Sequence, residues 1–145
     1  MVEARQLREL TQVQSLWLLG SVPVGRVVFT QHALPAIRPV NHIVVGDKII
    51  IMTNLGAAIS VQAASDGGTV VAYEADLIDP DTHLGWSVVV IGKAGRVLDE
   101  AERAGYRQSL HPWVAGEMDD LIAIRAELVT GYQLVAAEAP QATIG

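Results

Sequence analysis

Residues 85–98 constrain the fold more than any other part of the chain. They run Gly85-Trp86-Ser87-Val88-Val89-Val90-Ile91-Gly92 and on to Leu98, which is too long for an ordinary strand, and Gly92 and Gly95 sit inside the run. Glycine within a strand marks a bend or bulge of the kind that curls a sheet. A sheet with one long bent member is disposed to close on itself, because closure removes exposed edges.

The rest of the chain supplies partners for such a strand. Thr11 and Gln14 form a capping-box pattern at the start of a helix that Gly20 ends, with Val13, Leu16 and Trp17 at helical spacing. Trp17 is expected to face the core. Strands are predicted at 25–30, 36–45 and 48–53, the last two joined by Val45-Gly46-Asp47-Lys48, a tight-hairpin signal. Pro39 cannot donate to a ladder and implies an edge or a bulge. A short helix at 57–64, strands at 69–76 and 85–98, and a helix capped by Asp99 and running to about Leu110 come next. Two last strands, 121–127 and 132–135, complete a mainly β chain of about seven antiparallel strands and three short helices. Residues 1–136 read as a single domain and 137–145 as a frayed tail. Strand–helix–strand alternation is missing, so a doubly wound nucleotide-binding sheet is not expected.

Composition narrows the function. The chain has 145 residues, half of them apolar, with a mean hydropathy of +0.32. That surplus suits a subunit interface, and a homodimer is expected. A net charge of −6 disfavours nucleic acid and anionic membrane as partners. Cysteine is absent, which excludes disulfides and thiolate chemistry. The N-terminal residues carry both charge signs and lead into the first helix, unlike a signal peptide, and no apolar run is long enough to span a bilayer. A cytoplasmic domain is expected.

No familiar catalytic signature is present. His32, His42, His83 and His111 lack metal-ligand spacing, so no metal is expected, and each alone is more often a surface or capping residue. The stretch from Pro35 to Gly56 does stand out. Arg38 and Asn41 interrupt an apolar strand, and their odd separation puts them on opposite faces unless Pro39 bulges. Thr53 and Asn54 lead into a helix start, whose free N–H groups suit an anion. The same residues equally fit an exposed Arg38 on an edge and a turn without a ligand.

These residues resemble the strand pair that binds FMN in the pyridoxamine-phosphate-oxidase-like superfamily. Pro35, Arg38 and Val40 match its P-x-x-R-x-V strand, and Thr53-Asn54 match the strand end that enters its phosphate-binding helix. Residues 85–92 are similar to the G-W-S-V-V-V-x-G strand of a subgroup of small members. Ile124-Arg125 and Val129-Thr130-Gly131 resemble its I-R-P-x-x-V-T-G ending, and residues 18–26 fit its opening. The resemblance runs from about Leu10 to Leu134.

It implies a split β-barrel that dimerises with two flavin sites at the interface. Arg38 would pair with the phosphate, a planar guanidinium suiting that geometry. Thr53, Asn54 and backbone near Gly56 would complete the cradle, and Val40 belongs to the same strand. Asn41 would lie towards the ring, which Trp86 and Ser87 would line. Trp86 fits core packing as the alternative, and Trp113 fits either a ligand cap or a plug for the barrel end. The sequence departs from the family at Ala57, Ala58 and Ile59, where basic residues usually grip the phosphate. Losing one charge-assisted contact forfeits about 1.5–3 kcal/mol. The implied function is an FMN-dependent oxidoreductase acting on a small molecule. The alternatives are use of the deazaflavin coenzyme, a non-catalytic flavin carrier, and a cofactor-free dimer. Pyridoxamine-phosphate oxidation itself is not expected, because Arg125 is the only arginine in the last stretch.

Overall fold

The computed structural model describes residues 4–53, 68–110 and 120–137. Its strands are β1 (Arg5–Leu10), β2 (Val24–Gln31), β3 (Leu34–Val45), β4 (Lys48–Thr53), β5 (Thr69–Ile78), β6 (Gly85–Arg96) and β7 (Asp120–Ala136). The helices are α1 (Gln12–Gly20) and α2 (Glu100–Ser109). All pairings are antiparallel, in the order β1-β7-β4-β3-β2-β5-β6, and β6 pairs back to β7. Six strands therefore close into a ring. β1 is the seventh, lying beside the far half of β7, beyond the half that β4 occupies. The fold is a split β-barrel.

The long β6 closes the ring as its glycines suggest. Its register against β7 shifts between Ile91 and Gly92, where Arg125 carbonyl comes so close that a Cβ on Gly92 would lie 1.8 Å from it. Only glycine admits that approach. At Pro39 the β2–β3 register runs without interruption. That half of β3 pairs with β2 alone among the described residues, so the proline sits on an open edge rather than in a bulge.

Inward side chains of all six ring strands form the main core, including Val27, Ile49, Tyr73, Val88 and Ile124. β4 is buried on both faces. Ile50 and Met52 point outward into a second cluster with Val97, Leu110 and Leu121, against which Tyr106 of α2 packs. Asp99 caps α2 by accepting from the Glu102 N–H, and Thr11 and Gln14 form the reciprocal capping box of α1.

Three expectations need correction. Residues 5–10 form a strand, not a lead into the helix; their polar sequence follows from pairing with β7 rather than from burial, since four of the six are exposed. Trp17 does not face the core: it is 73% exposed, because α1 docks through Ser15 and Leu19. The two last strands are one, β7, running through Gly131, which makes room for the Ser15 hydroxyl instead of turning the chain. Two of the three expected helices stand among the described residues; the one expected at 57–64 lies outside them, as do Trp113 and residues 138–145 of the expected tail.

Candidate functional site

Strand parity decides which candidate residues can act together. On β3, even-numbered residues turn toward the barrel interior: His42 is buried, and Val40 and Val44 pack on the main core. Arg38 has the same parity, opposite Val27, yet is exposed where β3 has no second neighbour among the described residues. Its Nη1 donates to the Ile37 carbonyl at 2.8 Å, leaving most of the guanidinium fork turned to solvent. Thr53 ends β4 on the inward side and is 2% exposed. Arg38, Val40 and Thr53 thus share a face. Asn54 and Gly56 lie outside the described residues.

Asn41 and Ser87 belong to the outer face. Asn41 is opposite Val24 and Met52, and it lines an open cleft of about 290 Å³ with Ser21, Pro23, His42 and Ser109. Ser87 is opposite Asp76 and Tyr132, half-buried. Counting from the pair Val28–Ala72 carries Val24 to the level of Asp76, so Asn41 and Ser87 stand at one height on the outer wall. Three strand spacings separate them, roughly 14 Å along the wall. Trp86 is elsewhere: it is 6% exposed and packs in the main core.

Two polar groupings escaped the sequence reading. On the outer face Arg26 Nη1 approaches Glu74 Oε2 at 3.3 Å and Asp76 Oδ2 at 3.8 Å. Partial burial, then the hydrogen bond and charge of Asp76, push the Glu74 carboxyl up to about 7, with Arg26 pulling the other way. Glu-x-Asp in a strand is the signal that would have found it, because residues two apart share a face.

The second grouping is inside. His42 is 3% exposed, with Nε2 at 2.7 Å from the Leu19 carbonyl and Nδ1 at 2.5 Å from the Tyr73 hydroxyl. A carbonyl only accepts, so Nε2 carries the proton and Nδ1 accepts from the phenol. The imidazole is a neutral clasp joining the end of α1 to β3 and β5. Burial holds its pKa below the usual value, against the raising effect of the Leu19 bond, and burial likewise raises that of Tyr73. His42 thus holds the end of α1 from within the core, which its isolated place in the sequence does not show. Among the described residues no group of three His, Asp or Glu side chains could hold a metal.

A family model described as pyridoxamine 5'-phosphate oxidase matches residues 12–144. The chain belongs to the pyridoxamine 5'-phosphate oxidase family. Within it, the chain is 52% identical over 135 residues to Uncharacterized protein Rv0080 of Mycobacterium tuberculosis, covering 92% of this chain and 89% of the relative. The FAD binding protein from Mycobacterium smegmatis superposes with a TM-score of 0.63 at 26% identity, covering 88% of this chain and 98% of that one. A FAD-binding protein from Mesorhizobium loti has a TM-score of 0.72 at 17% identity, covering 90% and 98%, and speaks for the fold alone. The family's name describes one reaction of its members and does not carry that reaction to this chain. Among the described residues no helix is long and apolar enough to cross a membrane.

Proposed function

We propose that this family member is a flavin-dependent oxidoreductase that binds FMN and works as a cytoplasmic homodimer on a small-molecule substrate. The observation that carries the reading is the donor set. Arg38 offers an exposed guanidinium on the inward-turned face of β3, and Asn41 and Ser87, on the opposite face, offer neutral hydrogen-bonding groups at one height of the outer wall. That combination suits a ligand with an anionic end and a polar-edged ring. The name of the FAD binding protein from Mycobacterium smegmatis supports a flavin of some kind. A bound flavin would supply the electron-transfer chemistry, which fits a chain whose sequence carries no familiar catalytic acid–base signature.

In this reading Arg38 holds the phosphate with Thr53, Asn54 and backbone near Gly56, while Asn41 and Ser87 meet ring edges. Val40 fixes the strand between them by packing on the core. Trp86 acts from beneath, setting the position of Ser87 rather than touching the ring. The wall distance between Asn41 and Ser87 favours a site shared by two protomers, each giving part of the contact. A visible absorption spectrum and titrations with FMN, FAD and the deazaflavin coenzyme test the assignment. Saturation by FMN is expected, and Arg38→Ala should weaken it about tenfold or more while leaving the fold intact. Unchanged affinity in that variant sinks the phosphate role of Arg38.

A second reading is favoured by Ala57, Ala58 and Ile59: a flavin carrier without turnover, or a dimer that no longer holds a cofactor. Flavin binding without reduction of any acceptor from a substrate panel would select the carrier.

A further inference from the structure

The chain has only two lysines, Lys48 and Lys93, and the fold sets both beside the same arginine. Lys48 of β4 is opposite Arg125 of β7, and Arg125 is opposite Lys93 of β6. All three point outward, because their sequence neighbours Ile49, Ile124 and Ala94 belong to the main core. Neighbouring strands lie about 4.8 Å apart, so three cations are strung across roughly 10 Å of three adjoining strands.

No carboxylate answers them. The chain carries 10 Lys and Arg residues, all of them described. Each of the others holds a partner, the ion pairs of Arg26 with Glu74 and Asp76 and of Arg96 with Asp120 among them. Lys48, Lys93 and Arg125 hold neither a hydrogen bond nor an ion pair among the described residues. Asp47, in the turn before Lys48, and Glu127, the extra residue at the register shift of β7, are exposed and pair with none of them there. Like charges directly opposite one another weaken a ladder. A chain with 16 Asp and Glu residues has carboxylates to spare, yet places none on this row.

The wall beside the row leaves room for a ligand. The next outward positions on β7 and β6 are Ala123 and Gly95, opposite each other, and a Cβ on Gly95 would meet nothing within 4 Å. On the other side, across the register shift, the exposed Ile91 and Leu128 are opposite each other.

We propose that Lys48, Arg125 and Lys93 bind a group of two or three linked phosphates, at a site separate from the candidate flavin site. A singly charged anion leaves the flanking cations unanswered, whereas linked phosphates present charge along their length. Arg125 in the middle offers a planar fork for two phosphate oxygens, and the lysines close from either side as point charges. The acidic excess elsewhere turns away a long polyanion such as nucleic acid, which leaves a compact one. Lys48 and Thr53 are the two ends of β4, roughly 17 Å apart, so a flavin phosphate held at Thr53 does not occupy this row. The site stands whether or not the chain binds a flavin.

Isothermal titration calorimetry of the full chain with inorganic tripolyphosphate, pyrophosphate and orthophosphate, in metal-free buffer, tests this. Tripolyphosphate should bind most tightly and orthophosphate least, and binding should weaken as salt is raised. Arg125→Gln should lower the tripolyphosphate affinity about tenfold or more, and Lys48→Gln and Lys93→Gln about threefold each. Arg125→Lys should fall between the original and Arg125→Gln, since it keeps the charge and loses the fork. Arg38→Ala should leave the affinity unchanged. Circular dichroism identifies a variant that fails to fold, and Lys93→Glu, at an exposed position of the same row, then serves in place of Arg125→Gln. A nucleoside triphosphate distinguishes the source. Affinity about tenfold beyond that of tripolyphosphate, lost in Leu128→Ser, assigns a nucleotide whose body lies on Ile91 and Leu128; equal affinity assigns the phosphates alone. The absence of saturable tripolyphosphate binding, an affinity indifferent to all the row variants, or a loss in Arg38→Ala as large as in Arg125→Gln overturns the site.

Discussion

At the scale of single residues, the molecule is fastened by a histidine that never needs to titrate for its work. His42 donates to the carbonyl of Leu19 and accepts from Tyr73, so one ring satisfies a helix end and a buried phenol. Its folded pKa lies below the ordinary value of 6.5 because burial disfavours the cation. The unfolded chain therefore binds the proton more readily. His42 contributes its full stability above 6.5, and that contribution is lost as pH falls from there through the folded value. Urea midpoints measured from pH 8 to pH 5 should drop over this window in the original protein. His42→Phe should be less stable by about 2 kcal/mol at pH 8 and should lose much of the slope, since it leaves the phenol without its acceptor but has nothing to protonate. None of this was legible in the sequence, where His42 is one of four isolated histidines and Tyr73 lies 31 residues away. Trp17 misled for the opposite reason. Helical spacing predicts a stripe but not its rotation, and the small side chain of Ser15, fitted against Gly131, turned the helix away from the tryptophan.

At the scale of elements, two glycines admit a close neighbour with different consequences for the strand that holds them. Gly92 in β6 marked a bend, and it does stand at the register shift, where the Arg125 carbonyl occupies the space of a side chain. Gly131 falls in the gap left between the two predicted last strands, but β7 passes straight through it. Both glycines admit a close neighbour; one neighbour is a strand and the other a helix, and sequence does not distinguish them. Gly92→Ala should cost about 1–3 kcal/mol in thermal or urea unfolding, because a backbone carbonyl has to move. A change below about 0.5 kcal/mol would mean that the bulge relaxes freely. β4 matches its predicted bounds, residues 48–53, because a short apolar run ended by a hairpin on one side is the clearest strand signal in the chain. β1 left no such signal, since its polar residues are strand-forming only through their partner.

At the scale of the whole molecule, barrel closure was foreseeable from the count of strands and the bent β6, whereas the grouping of candidate residues was not. Sequence spacing tied Arg38 to Asn41 as members of one strand. Uninterrupted register puts them on opposite faces, and it is the circumference of the barrel that brings Asn41 level with Ser87. The same circumference brings Ile37, Val28, Ala72, Ile91 and Leu128 into register across five strands, which no linear pattern displays. The Arg38→Ala titration therefore probes a property of the assembled barrel and not of any one segment. The pairing of β7 carries a consequence for synthesis. β7 is the last strand in sequence order among those described, and it is the partner of β1, β4 and β6. While a ribosome is still making the chain, β2, β3, β4, β5 and β6 can pair among themselves, but the ring stays open and β1 has nothing to join. Closure waits for β7 to emerge, so this barrel completes its folding only once that strand is free, and until then its open edges depend on the cell to keep them from pairing elsewhere.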